Sequence, residues 1–225
     1  MTPLDRRTFL RTALLGATAT AVAACGHPTP TASNPWRSAT PGPAMPTLTN
    51  PEKVLIVYYS RPGENYWYGG RRTLTIGNTE LLVRILADRL DCDVHRIEAV
   101  YPYLSEYDAT VARNVREQQE DARPGIVGGL PDASGYDTVI LASPIWNVRP
   151  PMIMSTLVQG LRLDGKTILP VATHAMSGLG RAVTVYAELA PTARIGDGLA
   201  VRGEEVAEAA SAVERWIGRA IPDAR

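Results

Sequence analysis

Two kinds of apolar pattern alternate along the chain. Val54-Leu55-Ile56-Val57-Tyr58-Tyr59, residues 137–143 (DTVILAS) and residues 166–173 (KTILPVAT) are short runs with little polar interruption. Such runs suit strands buried on both faces of a sheet. Residues 93–100 (DVHRIEAV) alternate and read as a strand, and 195–201 reads as a short one. From Thr79 onward, Leu81-Leu82, Ile85-Leu86 and Leu90 recur at helical spacing. Residues 105–122, 152–161 and 181–189 read as further helices. Residues 204–219 close the chain as an amphipathic helix with Val206, Ala209-Ala210, Val213, Trp216 and Ile217 on one face. Strands alternating with helices in this way require right-handed crossovers. The pattern therefore predicts an α/β fold, with a five-stranded parallel sheet and helices on both faces. Ligands of such sheets bind beyond the carboxyl ends of the strands.

Three loops leave predicted strand ends. The first starts at Ser60-Arg61-Pro62-Gly63 and resumes as a helix behind Gly77-Asn78-Thr79-Glu80. A helix start offers backbone N–H groups without intrahelical acceptors and the positive end of the helix dipole, so Ser60, Gly77, Asn78 and Thr79 are candidates for holding a phosphate. Thr79 could equally cap its helix. No Gly-Lys-Ser/Thr and no G-x-G-x-x-G occurs here. The second loop is Ser143-Pro144-Ile145-Trp146-Asn147-Val148-Arg149-Pro150-Pro151. Trp146 offers a flat face for stacking on an aromatic ligand or for packing over the sheet edge, and Asn147 can hydrogen-bond a heterocycle. The third is Thr173-His174-Ala175-Met176-Ser177-Gly178-Leu179-Gly180, whose small residues allow close backbone approach to a planar ligand. Ser177 could instead cap the following helix. His174 has no second ligand at metal spacing, so it reads as a polar contact to ligand, with acid/base use as the alternative.

The stretch before the domain changes the cellular picture. Arg6-Arg7-Thr8-Phe9-Leu10 resembles a twin-arginine export signal, and Val22-Ala23-Ala24-Cys25-Gly26 resembles a lipobox, in which Cys25 would be lipidated and become the mature N-terminus. Residues 13–24 are too few to span a bilayer. Plain cleavage near the alanine-rich end, with Cys25 incidental, is the alternative. Residues 26–52 contain seven prolines (28, 30, 35, 41, 43, 46 and 51) and read as a disordered tether before a domain over 53–220. The expected location is the outer face of the cell membrane through a lipid anchor, or the periplasm or exterior without one. Charges balance at 23 against 23, which leaves no nucleic-acid footprint. Cys92, without a C-x-x-C partner, reads as inert.

Taken together, Val57-Tyr58-Tyr59-Ser60-Arg61, Gly77-Asn78-Thr79-Glu80, Ser143-Pro144-Ile145-Trp146 and Thr173–Gly180, followed by Gly198-Leu199-Ala200-Val201-Arg202-Gly203, make the domain resemble the flavodoxin-like FMN-binding family over about residues 53–219. That resemblance implies a three-layer sandwich with strand order 2-1-3-4-5. It also implies a non-covalent FMN whose phosphate lies at Ser60, Asn78 and Thr79, and whose ring is covered by Trp146 on one side and the third loop on the other. Arg61, Pro144, Ile145, Asn147, Thr173, His174, Ser177 and Gly178 complete the expected set.

Two departures stand out. Residues 61–76 separate Ser60 from Gly77, with Tyr66, Trp67, Tyr68 and paired arginines among them; they could form a lid or a hairpin packed elsewhere. The rim also carries Arg61, Arg71, Arg72, Arg149 and Arg181, which suggests a redox partner protein or small reductant that is anionic. The leading expectation is an exported, tethered FMN electron carrier. The alternatives are an NAD(P)H-dependent quinone or flavin reductase, and a flavin-free binding lipoprotein of the same fold.

Overall fold

β1 (Val54–Tyr58) is the axis of the domain: all five residues are buried, and it pairs in parallel with β4 (Cys92–Arg96) on one side and β5 (Thr138–Pro144) on the other. The computed structural model describes residues 53–222. The signal-like segment 1–25 with Cys25 and the tether 26–52 lie outside the described residues. Side chains alternate across a strand, so β1 divides the core. Leu55, Val57 and Tyr59 join Val139 and Leu141 under the helices α3 (Met152–Gly160) and α4 (Ala182–Leu189). Val54, Ile56 and Tyr58 join Ile140 and Ala142 under α1 (Asn78–Ala87) and α5 (Ala210–Ala220). A strand buried on both faces must be apolar at every position, which is why the run at 54–59 shows no alternation.

The sheet continues through β6 (Thr167–His174) to a last position shared by β7 (Arg194–Ile195) and β8 (Leu199–Arg202), both parallel to β6. The strand order is thus β4-β1-β5-β6, then β7 and β8, which corresponds to the expected 2-1-3-4-5. The fifth strand is split where one strand was expected over 195–201. Gly196-Asp197-Gly198 interrupts it because the backbone runs against side chains there: a Cβ would lie 2.6 Å from Leu169 at Gly196 and 2.5 Å from Leu179 at Gly198. The Trp216 indole donates to the freed Asp197 carbonyl at 3.0 Å.

Three further expectations shift. β4 stops at Arg96, short of 100; it is an edge strand, and Val94 is exposed despite its alternating pattern. The last helix begins as a 3-10 turn, Gly203–Glu208, before α5. The helix expected over 105–122 is α2 (Tyr107–Gln119), laid beside the second loop, where Gln118 donates to the Trp146 carbonyl at 3.1 Å. Cys92 is free, and burial, with Asp91 and Asp93 on either side, pushes its thiol up to about 11.

Residues 61–76 form a two-stranded antiparallel hairpin, β2 (Gly63–Trp67) and β3 (Gly70–Leu74). Tyr68 at φ +44° and Gly69 at φ +85° make the two-residue turn whose twist suits such a ribbon.

Candidate functional site

The carboxyl ends of β1, β5, β6 and β8 surround one cavity, closed on the remaining side by the hairpin and the start of α2. Its lining brings together nine of the expected residues: Ser60, Arg61, Asn78, Thr79, Pro144, Ile145, Trp146, Thr173 and His174.

The first wall is the junction of β1 with α1. Gly77 occupies the N-cap position without a side-chain cap, so Thr79 does not cap the helix. Ser60 does that work from a distance: its Oγ accepts the Glu80 N–H at 3.1 Å. The N–H groups of Asn78 and Thr79, ahead of it in the first turn, have no intrahelical acceptor. The Thr79 hydroxyl instead meets that of Thr173 at 2.8 Å, a buried bond that ties α1 to β6. Gly77 does not line the cavity, yet it sets this wall. A Cβ there would lie 2.3 Å from Ser60 Oγ and 2.6 Å from the Arg61 carbonyl, so only glycine lets the two segments touch.

Arg61 is 7% exposed. It donates to the carbonyls of Leu104 (2.9 Å), Ser105 (3.0 Å) and Glu64, while its Nε has no partner. Burial lowers its pKa below the ordinary arginine value, with neighbouring acidic groups opposing the shift. Among the described residues this guanidinium bonds only neutral carbonyls, so its positive charge is not neutralised by a direct ion pair; that charge and the α1 N-terminus both favour an anion in this cavity.

The second loop carries Trp146 into the cavity by a tight turn. Trp146 donates to the Arg149 carbonyl at 2.8 Å and accepts the Arg149 N–H at 3.3 Å, with Asn147 and Val148 both at positive φ between them. The indole stands edge-on to Tyr103 (5.0 Å between centroids) and Tyr59 (5.9 Å), so it is braced by the core while it lines the cavity. Asn147 lies off the cavity, with its amide donating to Gln118. Ser177 and Gly178 also lie off the lining. The third loop contributes Thr173, His174 and Ala175 before it turns away. The His174 Nδ1 is buried without a partner, and its pKa is lowered by burial and then by Arg202, which keeps the ring neutral near pH 7.

The lining residues without a motif in the sequence are Asn65 and Tyr66 on β2, Tyr107 at the start of α2, Ala175, and Gly203-Glu204 after β8. Gly203 and Glu204 follow a fourth parallel strand end, so the strand-end rule itself could have found them. The Gly203 backbone seats against the Asn78 side chain, since a Cβ would lie 2.3 Å from Nδ2. Glu204 is 7% exposed and accepts the Tyr68 N–H at 3.1 Å, which fastens the hairpin tip. The hairpin base is held by the Glu64 N–H on the Ser105 carbonyl (2.7 Å) and the Glu64 carboxylate on the Tyr107 N–H (3.0 Å). Outside, Arg71 pairs with Asp108 at 2.6 Å and lies over Tyr107, and Arg72 lies over Trp67. The basic rim read from the sequence is therefore partly engaged within the molecule.

A family model described as flavodoxin matches residues 73–219, more than half of the chain. The match begins inside β3, so β1 and most of the hairpin precede it. No curated protein matches the sequence. A provisionally assigned flavoprotein from Bacteroides eggerthii DSM 20697 superposes with a TM-score of 0.59 at 24% identity, over 75% of this chain and 97% of its own. A similarly assigned protein from Bacteroides uniformis ATCC 8492 gives 0.59 at 22% identity, over 75% and 99%. A flavoprotein in complex with FMN from Lactobacillus acidophilus NCFM gives 0.50 at 19% identity, over 71% and 99%. At these identities the likeness establishes a common fold.

Proposed function

Because the chain belongs to the flavodoxin family, we propose that its strand-end cavity holds FMN non-covalently and that the protein passes electrons through it. The observation that carries this reading is the meeting, in one cavity, of helix-start N–H groups at Asn78 and Thr79 that have no intrahelical acceptor, the Ser60 hydroxyl, a buried Arg61 with no carboxylate partner among the described residues, and Trp146. Each group suits one part of FMN. The backbone at Asn78 and Thr79 would hold the phosphate, as anions at helix starts are held. Ser60 would keep the first turn in place, and Arg61 would supply the compensating charge. Trp146, braced by Tyr59 and Tyr103, would cover the ring at little entropic cost. His174, kept neutral, can donate or accept a hydrogen bond at a ring edge. FMN when bound supplies the redox chemistry, exchanging one or two electrons. The chain's own residues bind it, orient it and exclude water from it.

Arg6-Arg7 and the segment ending at Cys25 favour export of a folded, flavin-loaded protein that is then tethered by lipid. Expression of residues 26–225, followed by absorption spectroscopy, tests the cofactor: a two-band flavin spectrum is expected, and a colourless protein that takes up no added FMN overturns the reading. Fractionation of cells expressing the full chain, with Cys25→Ser as comparison, tests the anchor; the wild-type protein should sediment with membranes and the variant should not.

A reductase reading has one specific observation in its favour. Tyr66 and Tyr107 add aromatic faces to the same cavity, where a nicotinamide or quinone could stack. Steady-state oxidation of NAD(P)H with a quinone would favour it, and electron exchange without turnover would favour the carrier.

A further inference from the structure

Five arginines fall in or beside the three loops, and three are engaged within the molecule. Arg61 holds backbone carbonyls, Arg71 pairs with Asp108, and Arg72 covers Trp67. Arg149 and Arg181 differ. Among the described residues neither forms an ion pair. Arg149 reaches only the Ser155 hydroxyl, at 3.4 Å, and its Nε has no partner. The acidic groups in range are Asp121, whose carboxylate is already bound by Arg123, and Glu188 on α4. The backbone forces the two arginines together. The Arg181 N–H donates to the Val148 carbonyl at 2.7 Å, and Gly180 sits so close to that carbonyl that a Cβ would lie 2.3 Å from it. Exposed apolar side chains lie close to them along the chain: Val148 at 53% next to Arg149, Met176 at 80% in the loop that leads to Arg181, and Val183 at 41% at the start of α4.

Two adjacent like charges repel, and exposed apolar groups gain nothing from water, so this face is unsatisfied in the isolated chain. Arginine and methionine are both enriched at protein interfaces. A small anion would have no use for the apolar flank. The face is also continuous with the turn that carries Trp146 into the cavity.

We propose that Val148, Arg149, Met176, Arg181 and Val183 form the docking surface for an acidic protein electron carrier. This rests on the FMN reading, since the docked carrier exchanges its electron with that group.

Holoprotein, its FMN content verified by absorption, is mixed in stopped flow with reduced plant-type [2Fe–2S] ferredoxin as the acidic probe. One electron leaves the cluster and enters the flavoprotein, which is read at the visible band of the cluster. Exchange should slow at least about tenfold between low and high salt, and R181E should slow the low-salt reaction about tenfold. The Arg181 side chain is exposed and has no hydrogen bond or ion pair among the described residues, so R181E should retain its flavin. Met176→Ser should slow the ferredoxin reaction about threefold, and leave oxidation of the dithionite-reduced protein by ferricyanide, a small anion, unchanged. Salt-independent exchange, or an R181E protein that reacts like the wild type, overturns the proposal. So does a Met176→Ser protein unchanged toward ferredoxin while R181E slows ferredoxin and ferricyanide alike, which would mark a small-anion site. A protein that never takes up FMN overturns the reading beneath it instead.

Discussion

On the α1 side of the cavity the polar groups are set by the sheet. Ser60, Thr79 and Thr173 are each under 5% exposed, and their hydroxyls bond one another or the first turn of α1. On the hairpin side, Asn65 and Tyr66 are half-buried and belong to a two-stranded ribbon, a unit that is marginal alone. The ribbon depends on its links: Arg61 and Glu64 at the base, Arg71 to Asp108 outside, and Glu204 at the tip. The first wall cannot change without disturbing the core, whereas the second can change its side chains and leave the sheet intact. A fixed cofactor suits the first wall, and a partner or substrate particular to this protein suits the second.

That division can be broken most decisively at Gly77. Gly77→Val places a branched side chain where even a Cβ would meet Ser60 Oγ at 2.3 Å. Overpacking of this kind costs roughly 3 kcal/mol, so FMN affinity measured by fluorescence titration should fall about a hundredfold. Unchanged affinity would mean that the ligand is held elsewhere. Arg61→Met should act on stability: it strips the donor from the Leu104, Ser105 and Glu64 carbonyls. A loss of about 2–3 kcal/mol in urea denaturation is expected.

The two walls can then be compared directly. Trp146→Ala should weaken FMN binding by about 1–3 kcal/mol and Tyr66→Ala by less than about 1 kcal/mol; equal losses would erase the distinction between them. At the hairpin tip, Glu204→Gln replaces a charged acceptor of the Tyr68 N–H with a neutral one. Amide exchange at Tyr68 should quicken about three- to fivefold, corresponding to about 0.7–1 kcal/mol, with core amides unaffected. The smallest effect concerns pH. The folded state holds the His174 pKa below its ordinary 6.5. In the window between those two values the unfolded chain binds the extra proton, so the contribution is complete above about 6.5 and is lost as pH falls through the folded value. His174→Gln should flatten that acid limb of the urea midpoint, and an unchanged limb would assign it to other groups.

Much of this was legible before folding. The unbroken run at 54–59 implied a strand covered on both faces, and the loops after β1, β5 and β6 were legible because parallel strands end together. Three features were hidden. The split of the fifth strand depends on where Leu169 and Leu179 press on Gly196 and Gly198, contacts between residues distant in the chain. The exposure of Val94 follows from β4 having one neighbour instead of two. The engagement of Arg61 and Arg71 depends on α2 and its preceding loop, far along the sequence, whereas Arg72 meets Trp67 within its own hairpin.

The sequence by itself determined the alternation of strands and helices, the layering they require and the end of the sheet where a ligand binds, because all three follow from local periodicity and the handedness of the chain. Tertiary structure alone decided that Arg61 and Arg71 are engaged by α2 and the loop before it while Arg149 and Arg181 form no ion pair among the described residues, that the inserted segment becomes the second wall, and that Glu204 latches it. Those outcomes rest on pairings between residues separated by many tens of positions, and local pattern carries no record of such distances.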